Sequence, residues 1–138
     1  MKVELKQVEG NTYVGKGESN HWVTIDAAEK DGGHNAGTRP MELVLIALAG
    51  CTAIDVENIL KKKRAPMKKL EIEVNAERTD DYPKRFTDIH LTYIIHGDVR
   101  QSDAEQAVTL SREKYCSVSG SLNANVTHEI RILNEEEV

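Results

Sequence analysis

The segment from Pro40 to Arg64 restricts the fold more than any other part of this chain. Apolar residues run almost without interruption from Met41 to Ala49, and a more amphipathic stretch follows to Arg64. A helix that is apolar around most of its circumference belongs in the middle of an assembly, not on the surface of a small domain. Thr38 and Pro40 mark its entry, because a proline is welcome in a first turn where its missing N–H would have no partner. Pro66 closes it. Gly50 is expected to divide the segment into two helices, with Cys51 near the start of the second.

Strands surround this segment. The first 25 residues read as a meander of three short strands, Lys2 to Val8, Thr12 to Gly17 and His21 to Ile25, separated by Gly10-Asn11 and Ser19-Asn20. The polar, Gly-rich stretch from Ala27 to Gly37 is a loop leading into the helix. From Lys69 to Glu77 the alternation is strict: Leu70, Ile72, Val74 and Ala76 share one face of a half-buried strand. After the turn residues Asp80 to Lys84 comes a second strand, Asp88 to His96, which Gly97 and Asp98 end. Ser102 and Glu105 have capping-box spacing, which predicts a helix from about Asp103 to Tyr115 with Ala104, Ala107, Val108 and Leu110 or Ser111 inward. A last strand, Asn125 to Leu133, places Val126, His128, Ile130 and Ile132 on one face, and the acidic tail beyond it is expected to fray. The class is α+β.

With 138 residues, one domain spanning 1–138 is expected, since two would each approach the size at which a core becomes marginal. A 39% hydrophobic fraction with one Phe and one Trp leaves Leu, Ile, Val and Ala to build a thin core, so burial against a second chain is expected. The net charge of −5, with both signs interspersed, gives no stripe for nucleic acid. The basic run Lys61, Lys62, Lys63 and Arg64, followed by Lys68 and Lys69, reads as a solvated helix end favoured by the macrodipole. The longest apolar run, Leu43 to Ala49, is too short for a bilayer, and the first ten residues lack the pattern of a secretory signal. Two distant cysteines do not make a secreted disulfide framework. A cytoplasmic protein without nucleic-acid or membrane partners is therefore expected.

Thiolate chemistry is the sharpest candidate activity, because a helix N-terminus or a nearby cation lowers a thiol pKa and makes it reactive. Cys51, after Gly50 at a possible helix start, meets the first condition. The blander alternative is that each cysteine is a buried structural residue, common in apolar segments. Asp55, one turn on, would oppose thiolate formation if it faces the same way. Cys51 and Cys116 stand 65 positions apart, so only tertiary folding can join them. His34 lies in the polar loop, and His21, His90, His96 and His128 fall on expected strands; no closely spaced CxxC or HxxxH pair occurs, so no metal site is expected. Gly32-Gly33 lacks the context of a dinucleotide fingerprint, and no cofactor is expected. Ser111, Ser117, Ser119 and Ser121 surround Cys116 without a GxSxG elbow, which argues against a serine hydrolase.

Two runs carry a family resemblance. Gly37-Thr-Arg-Pro-Met-Glu-Leu-Val-Leu-Ile-Ala-Leu-Ala-Gly-Cys51-Thr-Ala-Ile-Asp55, with Lys114-Tyr-Cys116-Ser-Val-Ser-Gly-Ser-Leu122 downstream, resembles the OsmC/Ohr superfamily, and the Pro-Met-Glu opening with its Gly-Cys-Thr elbow looks more like a less characterised OsmC-like branch. The resemblance implies an OsmC-like fold: antiparallel sheets wrapped around long central helices in an intertwined homodimer, with a site at the subunit interface. It also implies reduction of hydroperoxides, often organic ones, with Cys51 matching the peroxidatic cysteine and Cys116 the resolving one. An external dithiol would reset the pair. The better characterised branch adds an arginine from its N-terminal strands and a glutamate directly after the helix-opening proline. Residues 1–38 contain no arginine, so Lys6, Lys16 or Arg39 would supply the positive charge, and the acid, Glu42, falls one place later.

Two functions follow as expectations. One is a thiol-dependent peroxidase, in which apolar side chains near Cys51, such as Leu48 and Ile54, suit an alkyl hydroperoxide. The other is a non-catalytic module of the same fold that binds a small apolar ligand or senses redox state.

Overall fold

The structure is a computed structural model, and it describes residues 1–134. The acidic tail expected to fray lies outside them. The contacts of the chain fall into two compact units, Met1–Ile46 and Ala47 onward, with the division inside the long helix.

The first unit is an antiparallel meander of β1 (Glu4–Glu9), β2 (Thr12–Lys16) and β3 (Val23–Ile25), in the order β1-β2-β3. Gly10 at φ 55° and Asn20 at φ 66° turn the chain at the two expected places. A single 3₁₀ turn, Glu29–Asp31, interrupts the polar loop. That loop is pressed against the end of the meander: a Cβ on Gly37 would lie 2.6 Å from the Thr24 carbonyl oxygen in β3, so no side chain fits there. Its centre is the buried Asp26, whose carboxylate accepts from the Thr12 hydroxyl at 2.8 Å and from the N–H groups of Ala27, His34 and Ala36 at 2.7, 3.1 and 3.1 Å.

The long helix, α1 (Pro40–Lys62), is continuous. Gly50 does not break it, because a single glycine inside a run of good helix formers costs only about 1 kcal/mol relative to alanine. It starts at Pro40, the proline expected in its first turn. Arg39 flanks the helix, Pro40 takes the first position, and Glu42 reaches back to the Arg39 N–H at 2.9 Å, the reciprocal half of a capping box. At 23 residues, with an 18-residue window of mean hydropathy 1.9, α1 is long and apolar enough to cross a membrane, so judging by Leu43 to Ala49 alone underestimates it. Core helices have the same length and composition, and every fourth residue of the second half, Leu48, Thr52, Val56 and Leu60, is buried in the protein.

In the second unit β4 (Met67–Arg78) and β5 (Phe86–Gly97) form a long antiparallel hairpin, and β6 (Asn125–Leu133) pairs with β5 in parallel. The parallel pair corrects the expectation of purely antiparallel sheets. Its cause is the connection: α2 (Gln101–Leu110), a π-helical turn (Ser111–Tyr115) and the short α3 (Ser117–Ser121) separate β5 from β6 and carry the chain back to the same end of the sheet. Helix α2 begins at Gln101 with no side-chain cap, so Ser102 lies inside it and the capping box does not form. The core of this unit comprises Leu48, Val56 and Leu60 of α1, Ile89, Leu91, Tyr93 and Ile95 of β5, and Ala104, Ala107 and Val108 of α2. By contrast, among the described residues the first unit has no buried hydrophobic side chain, and Val3, Leu5, Val8, Trp22 and Val23 are exposed.

Candidate functional site

Folding of the second unit brings the two cysteines together. Cys51 lies in mid-helix on α1, not at the helix start expected of it. Cys116 follows the π-helical turn, in extended conformation at φ −73° and ψ 101°. The wider turn leaves the α-helical path at Ser111, which lets Cys116 leave the helix and cap α3, whose Ser119 N–H donates to its Sγ at 3.4 Å. The sulfurs of Cys51 and Cys116 and a carboxylate oxygen of Asp55 all lie within 4.8 Å of one another. Asp55 therefore does face the thiols, as one turn of helix allows. Both cysteines are free thiols, Cys51 half-buried and Cys116 buried.

Behind them runs a chain of hydroxyls that the sequence did not reveal. Thr52 Oγ1 is 2.8 Å from the Tyr93 hydroxyl and 2.8 Å from Ser111 Oγ, and Ser111 donates to Asp55 Oδ2 at 2.8 Å. The direction of every bond follows from proton counting. A carboxylate only accepts, so Ser111 spends its one proton on Asp55; Thr52 must then donate to Ser111, and Tyr93 to Thr52. Thr52, Ser111 and Tyr93 are fully buried, so the chain fixes the carboxylate from a dry interior. The only hint in the sequence was Ser111 as an alternative inward residue of its helix.

Burial pushes the Cys116 thiol above its ordinary range, and the contact with Cys51 adds to this; the hydrogen bond from the Ser119 N–H opposes it. Burial likewise raises the Tyr93 hydroxyl, keeping it a proton donor at neutral pH. Further out, the Tyr93 ring meets the His128 ring edge-on at 6.1 Å, and His128 bonds Glu105 at 2.9 Å and the Arg112 guanidinium, which also donates to the Val126 carbonyl.

The charged residues named with the cysteines belong to the first unit. Arg39 donates to the Gly37 carbonyl at 2.9 Å and to Asn35 Oδ1 at 2.6 Å, and it borders a cavity of about 340 Å³ with Tyr13, Ile25 and Asp31. Glu42 is engaged at the helix start. Lys6 and Lys16 lie over the Trp22 ring, at 5.9 and 4.7 Å from its centre. Of the apolar residues expected near Cys51, Leu48 is buried in the core and cannot meet a substrate, while Ile54 is exposed.

Comparison with known proteins identifies the family. Residues 32–131 match the family model described as OsmC-like protein. The Escherichia coli K12 protein YhfA is 38% identical over 136 residues, covering 96% of this chain and 98% of its own. A hypothetical protein from Aquifex aeolicus VF5 superposes with a TM-score of 0.80 at 34% identity, over 95% of this chain and 96% of that one. An organic hydroperoxide resistance protein OsmC from Legionella pneumophila shares the fold, with a TM-score of 0.68 at 16% identity over 96% of this chain and 97% of that one. The extent of the family match and the identity to YhfA along nearly the full length make this chain a member of the OsmC-like protein family.

Proposed function

We propose that the protein is a cytoplasmic thiol-dependent peroxidase that reduces hydroperoxides, organic ones among them, and works as an intertwined homodimer of a single OsmC-like domain. Family membership suggests redox or hydroperoxide-resistance chemistry. The observation that carries the proposal for this chain is the approach of the two sulfurs to within 4.8 Å despite their separation in sequence.

The Cys51 thiolate attacks the distal oxygen of ROOH, the O–O bond breaks, and the alkoxide takes a proton to leave as ROH. Cys51 is now a sulfenic acid. The Cys116 sulfur displaces hydroxide from it, which leaves as water with the Cys116 proton, and a Cys51–Cys116 disulfide forms. An external dithiol supplies two electrons and two protons to restore the thiols. Closing the sulfur gap to a bond of about 2.05 Å asks for side-chain rotation and a small shift at Cys116. Its position as an extended residue between two helical segments favours such a shift.

Arg39 and Glu42 enter the catalytic assignment through the family resemblance alone; the hydrogen bonds they make are those of a loop and a helix start. The homodimer is supported by exposed apolar side chains, Ile46 and Ile54 on α1 and the row on the first unit. The test is consumption of cumene hydroperoxide with a panel of dithiols by wild type, Cys51→Ser, Cys116→Ser and Arg39→Ala. Turnover should fall to background in both cysteine variants. Loss in Cys51→Ser alone would remove the two-cysteine cycle, and full activity in Arg39→Ala would remove Arg39 from catalysis.

A further inference from the structure

We propose that Cys51, Asp55 and Cys116 form, in the reduced protein, a binding site for a thiophilic divalent cation of the zinc type. The proposal shares its sulfurs with the peroxidase reading but not its chemistry. Sequence spacing gave no sign of such a site, because two ligands come from one helical turn and the third from a residue 61 positions beyond Asp55.

The donor set is the first argument. Two sulfurs and one carboxylate oxygen lie mutually within 4.8 Å. In a tetrahedral zinc site two sulfurs, each about 2.3 Å from the metal, stand about 3.8 Å apart, so these donors need only a modest contraction. Soft sulfur ligands select zinc over magnesium or calcium, and three protein ligands leave one position for water.

Rigid support is the second. Metal-ligating carboxylates are held by outer hydrogen bonds, and Asp55 is held by Ser111, with Thr52 and Tyr93 behind it, all fully buried. Cys51 and Asp55 are one turn apart on a continuous helix, which fixes their spacing whatever else moves. Cys116 Sγ is oriented by the Ser119 N–H.

Charge is the third. The Asp55 carboxylate accepts from Ser111, and among the described residues no Lys or Arg forms an ion pair with it. A bound dication would supply the missing positive charge. Oxidation would release it: two thiolates, ROOH and two protons give the disulfide, ROH and water, and a disulfide no longer offers thiolate ligands.

The experiment titrates reduced, chelator-stripped full-length protein with zinc chloride against a chromogenic chelator, and with cobalt(II) chloride followed by absorption. One metal per chain is expected, with a thiolate-to-cobalt charge-transfer band and the visible bands of a tetrahedral ion. Cys51→Ser, Cys116→Ser and Asp55→Asn should each weaken zinc at least about 100-fold, and Ser111→Ala about 10-fold, the scale for loss of an outer partner. The disulfide form should not bind. No stoichiometric binding by reduced wild type, a cobalt spectrum without thiolate bands, or zinc affinity unchanged in Asp55→Asn would each overturn the site. The wild-type cobalt spectrum decides even if a variant fails to fold. Stoichiometric zinc binding in a protein that never forms the disulfide would leave this site standing and remove the peroxidase.

Discussion

Thr52 shows how much one buried hydroxyl can organise. It sits between Tyr93 and Ser111 with no solvent to replace either partner. Thr52→Val keeps the shape and deletes the hydroxyl, leaving the Tyr93 proton and the Ser111 acceptor unmatched. We expect a loss of about 1–3 kcal/mol in urea unfolding, the cost of stranding a buried polar group. A second residue-scale prediction concerns Asp26. Burial alone would raise its pKa, but hydrogen bonds from Ala36, Thr12, Ala27 and His34 outweigh burial and bring it to about 2 from an ordinary value of 3.8. The folded state therefore holds this proton less tightly than the unfolded chain. Its stabilising contribution is complete above the ordinary carboxylate range and is lost as pH falls from about 4 toward 2. Thermal scans across that window should show a steeper decline for wild type than for Asp26→Asn, and parallel curves would refute the assignment.

Among the elements, α1 and β5 carry the second unit. Leu60 and Leu91 are essentially inaccessible, and truncating either to Ala should cost about 2–5 kcal/mol with the unfolding midpoint as the readout. The elements of this unit were visible in the sequence for physical reasons: β4 is half-buried and writes a period of two from Leu70 to Ala76; β5 is rich in Ile, Leu, Thr and Tyr; a largely apolar run bounded by Pro40 and Pro66 has few folds open to it. What the sequence hid was every feature set by a single local competition. Gly50 was read as a break, yet its flanking helix formers outweigh one glycine. The Ser102–Glu105 spacing suggested a cap, but the helix starts earlier, at Gln101. The π-helical turn at Ser111–Tyr115 has no periodic signature, and it is this turn that sets where Cys116 leaves the helix. Hence the family pattern named both cysteines and implied their pairing, and helix spacing raised Asp55 as a neighbour only if it faced Cys51, while the hydroxyl chain behind them left no sequence signal.

At the scale of the whole molecule, the distribution of burial is uneven. The second unit has a filled core, whereas the first exposes Leu5, Val8, Trp22 and Val23, and α1 exposes Ile46 and Ile54. Paired in a homodimer, these surfaces would recover apolar burial worth about 25 cal/mol per Å². If the proposed homodimer forms through them, sedimentation should give wild type the mass of two chains and Ile46→Lys/Ile54→Lys a mass shifted toward one; a wild type with the mass of one chain would remove the dimer, and an unchanged variant would remove these residues from its contact. The account as a whole stands on the meeting of two sulfurs in one folded chain. One equivalent of cumene hydroperoxide added to reduced protein, followed by non-reducing peptide mass spectrometry, measures that meeting directly. The account predicts a peptide pair joined through Cys51 and Cys116 of the same chain, absent from Cys51→Ser. Accumulation of Cys51 sulfenic or sulfinic acid with Cys116 untouched would contradict it.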